Sequence, residues 1–195
     1  MKLTITTTLI ILNVIIYLFE LIFPQLIDYF SFVPAHAFSE PWTFVTSMFL
    51  HDNTSPAHIF FNMFALLMFG SYLEDIISKR SYLLIYFLAG IVGNFGYIIT
   101  APSALTPGIG ASGAIYGILG SLAVLAPGAR VFVMGIPMPM IFAAFFWFLI
   151  EFFGLFAPSD IAHGAHLGGL FVGILFAFYI RRTWKSSVAK LVRWI

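Results

Sequence analysis

Apolar positions along this chain do not alternate with polar ones. They run on until they approach the thickness of a bilayer, then break. Six such runs lie at about residues 3–23, 58–77, 81–100, 112–126, 138–156 and 162–180, most of them near the ~20 residues with which a helix crosses hydrocarbon. A backbone in lipid must satisfy its own N–H and C=O groups, so these runs predict helices. The expected fold is an all-α membrane protein, a bundle of six transmembrane helices. The first run is long and lacks a small-residue cleavage site before Pro24, so it reads as a retained helix and not as a signal peptide.

Two connections are also unusual. Pro24 to Ala57 carries Phe30, Phe32, Phe38, Trp42, Phe44, Met48, Phe49 and Leu50, and such a segment does not rest in water. It predicts a membrane-embedded first external loop, an interfacial hairpin with Trp42 at headgroup level. Ala101 to Ala111 holds Pro102, Pro107, Gly108 and Gly110, which suit irregular backbone dipping into the membrane beside protein or water.

Composition agrees with the pattern. Of 195 residues, 61% are hydrophobic and 9% charged, against about 25% charged in a soluble domain, and the mean hydropathy is +1.02. Six spans put both termini on one side. Lys2, Lys79, Arg80, Arg130, Arg181, Arg182, Lys185, Lys190 and Arg193 all fall at the N terminus, the second and fourth connections and the 181–195 tail, so these are expected in the cytoplasm. The other connections, with Asp28, Glu40, Asp52 and Asp160, form the external face. A net charge of +1 with a basic tail points to anionic lipid headgroups and to no nucleic acid. Absence of cysteine excludes disulfides and thiol chemistry. No repeat or low-complexity linker interrupts the chain, which reads as a single domain, 1–195.

Inside this apolar background Ser112 sits in Gly110-Ala111-Ser112-Gly113 and His166 in Gly164-Ala165-His166-Leu167-Gly168-Gly169. A hydroxyl and an imidazole in hydrocarbon are costly without partners, and each is the obvious partner of the other. Depth supports this. The run from Ser112 to the Pro127-Gly128 break spans roughly 21 Å in a core about 30 Å thick, which leaves Ser112 roughly 9 Å below the outer surface. Similar reckoning from Arg181 and Ile77 puts His166 and Asn62 at the same level. His58 and Asn62, spaced i, i+4, share one helix face and can donate to a carbonyl oxygen that becomes an oxyanion, as can the Ser112 backbone amide at a helix start. Gly110, Gly113 and Gly117, with Gly169 and Gly173, make small surfaces for close helix approach.

Nucleophile, base and oxyanion donors on three helices, without an acid, form a hydrolytic constellation. In these residues the chain resembles the rhomboid family of intramembrane serine proteases. That family's Gly-x-Ser-Gly is met by Gly110 to Gly113, its His-x-x-x-Asn by His58 and Asn62, its Gly-x-x-x-Glu by Gly70 and Glu74. Its base helix is met by His166 with Gly169 and Gly173. The resemblance implies a Ser112–His166 dyad, an acyl-enzyme, and Tyr116 packed on the imidazole in partial replacement of the missing acid. It implies a cap at Phe156 to Ala162. One departure is Trp42-Thr43, where the family commonly reads Trp-Arg.

Three further groups carry expectations. His163 is expected to hydrogen-bond backbone or water near the site mouth. Glu74 and Asp75 are expected to pair with Lys79 and Arg80, and Glu151, within the fifth run, to meet water or a polar partner. The histidines lack a zinc motif's carboxylates and spacing, so neither metal nor cofactor is expected. The leading function is cleavage of transmembrane protein substrates near the external face. The alternatives are a catalytically inactive binder of membrane helices and a proton-coupled transporter; the latter lacks an inverted repeat and a midplane site.

Overall fold

A computed structural model describes residues 3–133 and 135–192, with side chains through residue 183. The helices that organise it are α1 (Ile5–Ile22), α2 (Pro56–Ile76, with a wider turn at Leu66–Gly70), α3 (Lys79–Thr100), α4 (Ser112–Leu125), α5 (Met140–Gly154) and α6 (His163–Val192). Among the described residues α1, α2, α3 and the His163–Thr183 part of α6 are long and apolar enough to cross a membrane, while α4 and α5 are shorter apolar helices. Lys2 and Arg193, and the side chains of Lys185 and Lys190, which carry part of the charge asymmetry, lie outside the described residues.

Local chemistry starts the helices. Thr4 caps α1 by accepting from the Thr7 amide, Ser78 caps α3 by accepting from the Ser81 amide, and Pro56 opens α2. Glu74 closes the loop between two helices. Its carboxylate accepts from the amides of Ile5 at 2.7 Å and Thr6 at 2.9 Å, which satisfies orphan donors of α1 and sets negative charge at its positive end. Among the described residues neither Glu74 nor Asp75 forms an ion pair with Lys79 or Arg80, and Glu74 instead caps α1 while the Lys79 charge still acts on it.

At the centre α4 packs against α3 and α6 at backbone contact. A Cβ on Gly169 would stand 2.0 Å from the Gly113 carbonyl oxygen, and one on Gly173 would stand 1.9 Å from that of Gly117. Only glycine permits this approach. Ser121, wholly buried between the two helices, donates to the carbonyls of Gly117 at 2.9 Å and Gly173 at 3.1 Å. Tyr82, Ile85, Tyr86, Ile118 and Met140 complete the core, while Phe60, Phe61, Phe145, Phe153 and Phe171 face outward, as suits helices whose solvent is lipid.

The first loop is a set of short helical turns, Leu26–Phe30, Pro34–His36, Thr43–Thr46 and Ser47–Phe49, and not an extended hairpin. Phe32 exchanges both backbone hydrogen bonds with Gly108, at 3.0 and 2.8 Å, tying the loop to the irregular segment before α4. Asn94 of α3 donates to the Phe44 carbonyl and the Ser47 hydroxyl. Thr43 is buried, its hydroxyl donating to the Glu40 carbonyl at 2.6 Å, so this position closes a turn. Trp42 is half exposed.

Residues 130–139 hold a feature absent from the apolar pattern, an antiparallel pair of strands, β1 (Arg130–Val133) and β2 (Ile136–Pro139). Gly135, at φ +83°, supplies the positive backbone angle its turn needs. The fifth helix begins only after this hairpin, with Pro139 as its cap. The last helix continues well past residue 180, to Val192.

Candidate active site

Gly110 sets the site. Its φ of +121° lies where side chains are strained, and a Cβ there would stand 2.9 Å from His58 Nε2. With its amide held by the Ser47 carbonyl at 2.9 Å, the chain turns abruptly into α4. Ser112 is the first helical residue, so the amides of this turn lack intrahelical acceptors.

The glycine contact between α4 and α6 then brings His166 to the serine. His166 Nε2 lies 2.8 Å from Ser112 Oγ. The Tyr116 ring, one turn along α4, stacks on the imidazole at 4.4 Å between centroids and 8° between planes. Rotation of the His166 ring is blocked on that face.

The other side of the imidazole meets an acid that the sequence reading lacked. Glu151 of α5 is buried, and its Oε2 stands 2.9 Å from His166 Nδ1. The two atoms are in ion-pair contact without the alignment of a well-formed hydrogen bond. The same oxygen is 2.6 Å from His163 Nδ1, and Tyr116 Oη donates to the other carboxylate oxygen. His163 is thus held by Glu151 and, at 3.2 Å, by the Ser159 hydroxyl of the loop before α6, in place of the expected backbone or water. The signal was present in the sequence as one carboxylate inside an apolar run, but the helix-to-helix partner could not be read from spacing.

Glu151, His163 and His166 offer ligand atoms within 4.8 Å of one another, a donor set of the kind that holds metals. The spacing fits protons better. Two ligands of one tetrahedral zinc, each at ~2.0 to 2.2 Å, stand about 3.3 Å apart, wider than the 2.6 and 2.9 Å found here.

Across a cavity of about 550 Å³, whose wall includes Ser112 and His166, stand His58 and Asn62 of α2, with Asp52 and the exposed Asp160 at its mouth. His58 Nδ1 accepts from the Asp52 amide at 3.2 Å. In the neutral ring the proton then resides on Nε2, which becomes a donor. Asn62 Nδ2 gives one proton to the His58 carbonyl at 2.9 Å and retains a second. Asn62 Oδ1 is buried with no partner among the described residues.

Behind His58 lies a layer that the sequence reading did not assign. His51 is wholly buried, 5.1 Å from the His58 ring, with the Phe49 backbone as a weak hydrogen-bonding neighbour of its ring. Burial pushes this loop histidine down to about 3, so it is neutral. Glu20 of α1, also wholly buried, accepts from the His51 amide through both oxygens at 3.2 Å. Asp52, outside the helices, is held below the usual carboxylate range by hydrogen bonding from the Thr54 hydroxyl.

The residues of the site all fall within a stretch with known relatives. The Rhomboid domain model matches residues 39–183. The chain is 35% identical to Rhomboid protease GluP of Bacillus subtilis over 139 residues, which cover 71% of this chain and 26% of that protein. It is 26% identical to Rhomboid protease GlpG of Photorhabdus laumondii over 185 residues, 93% of this chain and 64% of the relative. It is 29% identical to Rhomboid protein 1, mitochondrial, of Saccharomyces cerevisiae over 134 residues, 64% of this chain and 38% of the relative. The chain thus spans between 26% and 64% of the length of these proteins.

Proposed function

The chain belongs to the rhomboid family and is an integral, multi-pass membrane protein, and from that premise we propose that it is a serine endopeptidase of transmembrane protein substrates. The observation that carries this reading is the 2.8 Å contact of Ser112 Oγ with His166 Nε2 beside a cavity that His58 and Asn62 also line. In the proposed reaction Ser112 Oγ attacks the scissile carbonyl carbon as its proton passes to His166 Nε2. The carbonyl oxygen takes the negative charge and is met by His58 Nε2–H, the free N–H of Asn62 and the Ser112 amide. Each such donor is worth roughly 3 to 4 kcal/mol of barrier. His166 returns the proton to the leaving nitrogen as the C–N bond breaks. Water, deprotonated by the same imidazole, then releases the acyl group.

Orientation completes the proposal. All six apolar helices cross the bilayer, both termini are cytoplasmic, and the site opens externally, because every cation lies on one set of connections. Substrate helices enter laterally from lipid, and those weakened by glycine near the cut expose a carbonyl most readily. Proteoliposomes containing the protein and a panel of single-span substrates test the reading. Cleavage by the wild type and none by Ser112→Ala is expected. Equal cleavage by both would overturn it.

A further inference from the structure

A carboxylate buried in a membrane protein needs a reason, and Glu151 has three neighbours that together give one. Its Oε2 approaches both His163 Nδ1 and His166 Nδ1, at 2.6 and 2.9 Å, and Tyr116 Oη donates to its Oε1. Three helices therefore converge on one carboxylate. Tyr116 comes from α4, Glu151 from α5, and the two histidines from the first turn of α6. The tyrosine that stacks on His166 is itself anchored through its hydroxyl to the acid beside that imidazole.

We infer that Glu151 is a positioning residue that makes the site a Ser112–His166–Glu151 relay, with Tyr116 and His163 holding the carboxylate in place. The inference rests on the reading of Ser112 as nucleophile and His166 as its base. An imidazole accepts a proton at Nε2 only when its own proton is on Nδ1, and a carboxylate oxygen in ion-pair contact with Nδ1 at 2.9 Å favours the proton there by its charge. When His166 takes the Ser112 proton, its Nδ1–H faces a negative oxygen, which stabilises the imidazolium. No proton needs to pass to Glu151. Contacts from His163 and Tyr116 to the same carboxylate hold it fixed as α5 and α6 pack.

Two substitutions separate this role from simple packing. Glu151→Gln keeps the size and loses the charge, whereas Glu151→Asp keeps the charge and loses a methylene. A residue that only fills space should tolerate Gln better than Asp. The relay predicts the reverse, with kcat reduced roughly 10²- to 10⁴-fold in Glu151→Gln, KM within about threefold of wild type, and at least a tenfold recovery in Glu151→Asp. Thermal unfolding of each purified variant reports whether it is folded. If neither variant folds, the wild type still decides: histidine labelled with ¹⁵N should give a neutral-ring resonance with the proton on Nδ1 that disappears in His166→Asn and survives in His163→Asn. Glu151→Gln with the wild-type kcat, a Gln variant more active than the Asp variant, or no such His166 resonance would overturn the inference. Failure of the wild type to cleave any substrate or to react at Ser112 would instead overturn the protease reading, and the resonance would still report on Glu151.

Discussion

On the α4–α6 wall of the cavity Ser112 answers His166 at 2.8 Å, and outside the cavity lining His163 answers Glu151 at 2.6 Å. On the α2 wall His58 Nε2 and one N–H of Asn62 have no hydrogen-bond partner among the described residues. The two walls solve different problems. Proton transfer needs donor and acceptor aligned before substrate arrives, so their hydrogen bonds are made within the protein. Stabilising an oxyanion needs donors that are aimed but unspent, and leaving a buried polar group unpaired costs about 1–3 kcal/mol. Donors left free toward the cavity are available to a ligand's oxygen.

Breaking the committed wall has the largest expected effect. His166→Ala should lower kcat ~10⁴-fold or more, since serine is a poor nucleophile without a base, and the unfolding midpoint should change little. A cleavage assay with stability measured in parallel checks this; a tenfold loss or less would contradict the account.

Asn62→Ala probes the open wall. Turnover should fall roughly tenfold to a thousandfold, with the lower end reached if His58 and the Ser112 amide compensate, while KM moves little. Were Asn62 only a bridge between helices, the variant would unfold earlier by about 1 kcal/mol of stability and turn over normally.

Packing beneath the walls should matter less. A side chain at Gly173 meets the Gly117 carbonyl at 1.9 Å, so Gly173→Val should force α6 from α4 and destabilise by ~1–3 kcal/mol. Gly173→Ala should do less. Chemical or thermal unfolding in detergent measures both.

The smallest effect comes from His51. Its pKa in the folded protein, about 3, lies below the unfolded value of 6.5, so on acidification the unfolded chain takes up a proton that the folded one refuses. Its contribution to stability is therefore full above about pH 6.5 and drains as pH falls, by about 1 kcal/mol between pH 7 and 5.5. His51→Phe should flatten that slope. An unchanged slope would mean that His51 finds a partner in solution.

Much of the site was legible in the sequence because it was written in exceptions to an apolar background. Ser112, His166 and Asn62 stood out as polar residues at matched depth, His58 by its i, i+4 spacing from Asn62 and Tyr116 through the family resemblance, and the glycines near them marked close helix approach. What escaped notice depends on tertiary approach. Glu151 belongs to α5 and its partners to α4 and α6, and no spacing along one helix relates them. Glu74 looked like half of an ion pair because its nearest cations are close in sequence, yet the amides it caps are nearly seventy residues away, at Ile5 and Thr6. The 130–139 hairpin lay hidden beside an apolar helix whose composition its Val, Ile and Phe residues share, with only Gly135 and the flanking prolines as signals.

The central claim is that Ser112 is an activated nucleophile, and reaction of the purified protein in lipid with a serine-directed phosphonate tests it most directly. Peptide mass spectrometry should find the adduct on Ser112 of the wild type, no adduct in Ser112→Ala, and strongly slowed labelling in His166→Ala. An adduct on a different residue, or labelling of Ser112 at the same rate without His166, would contradict the account.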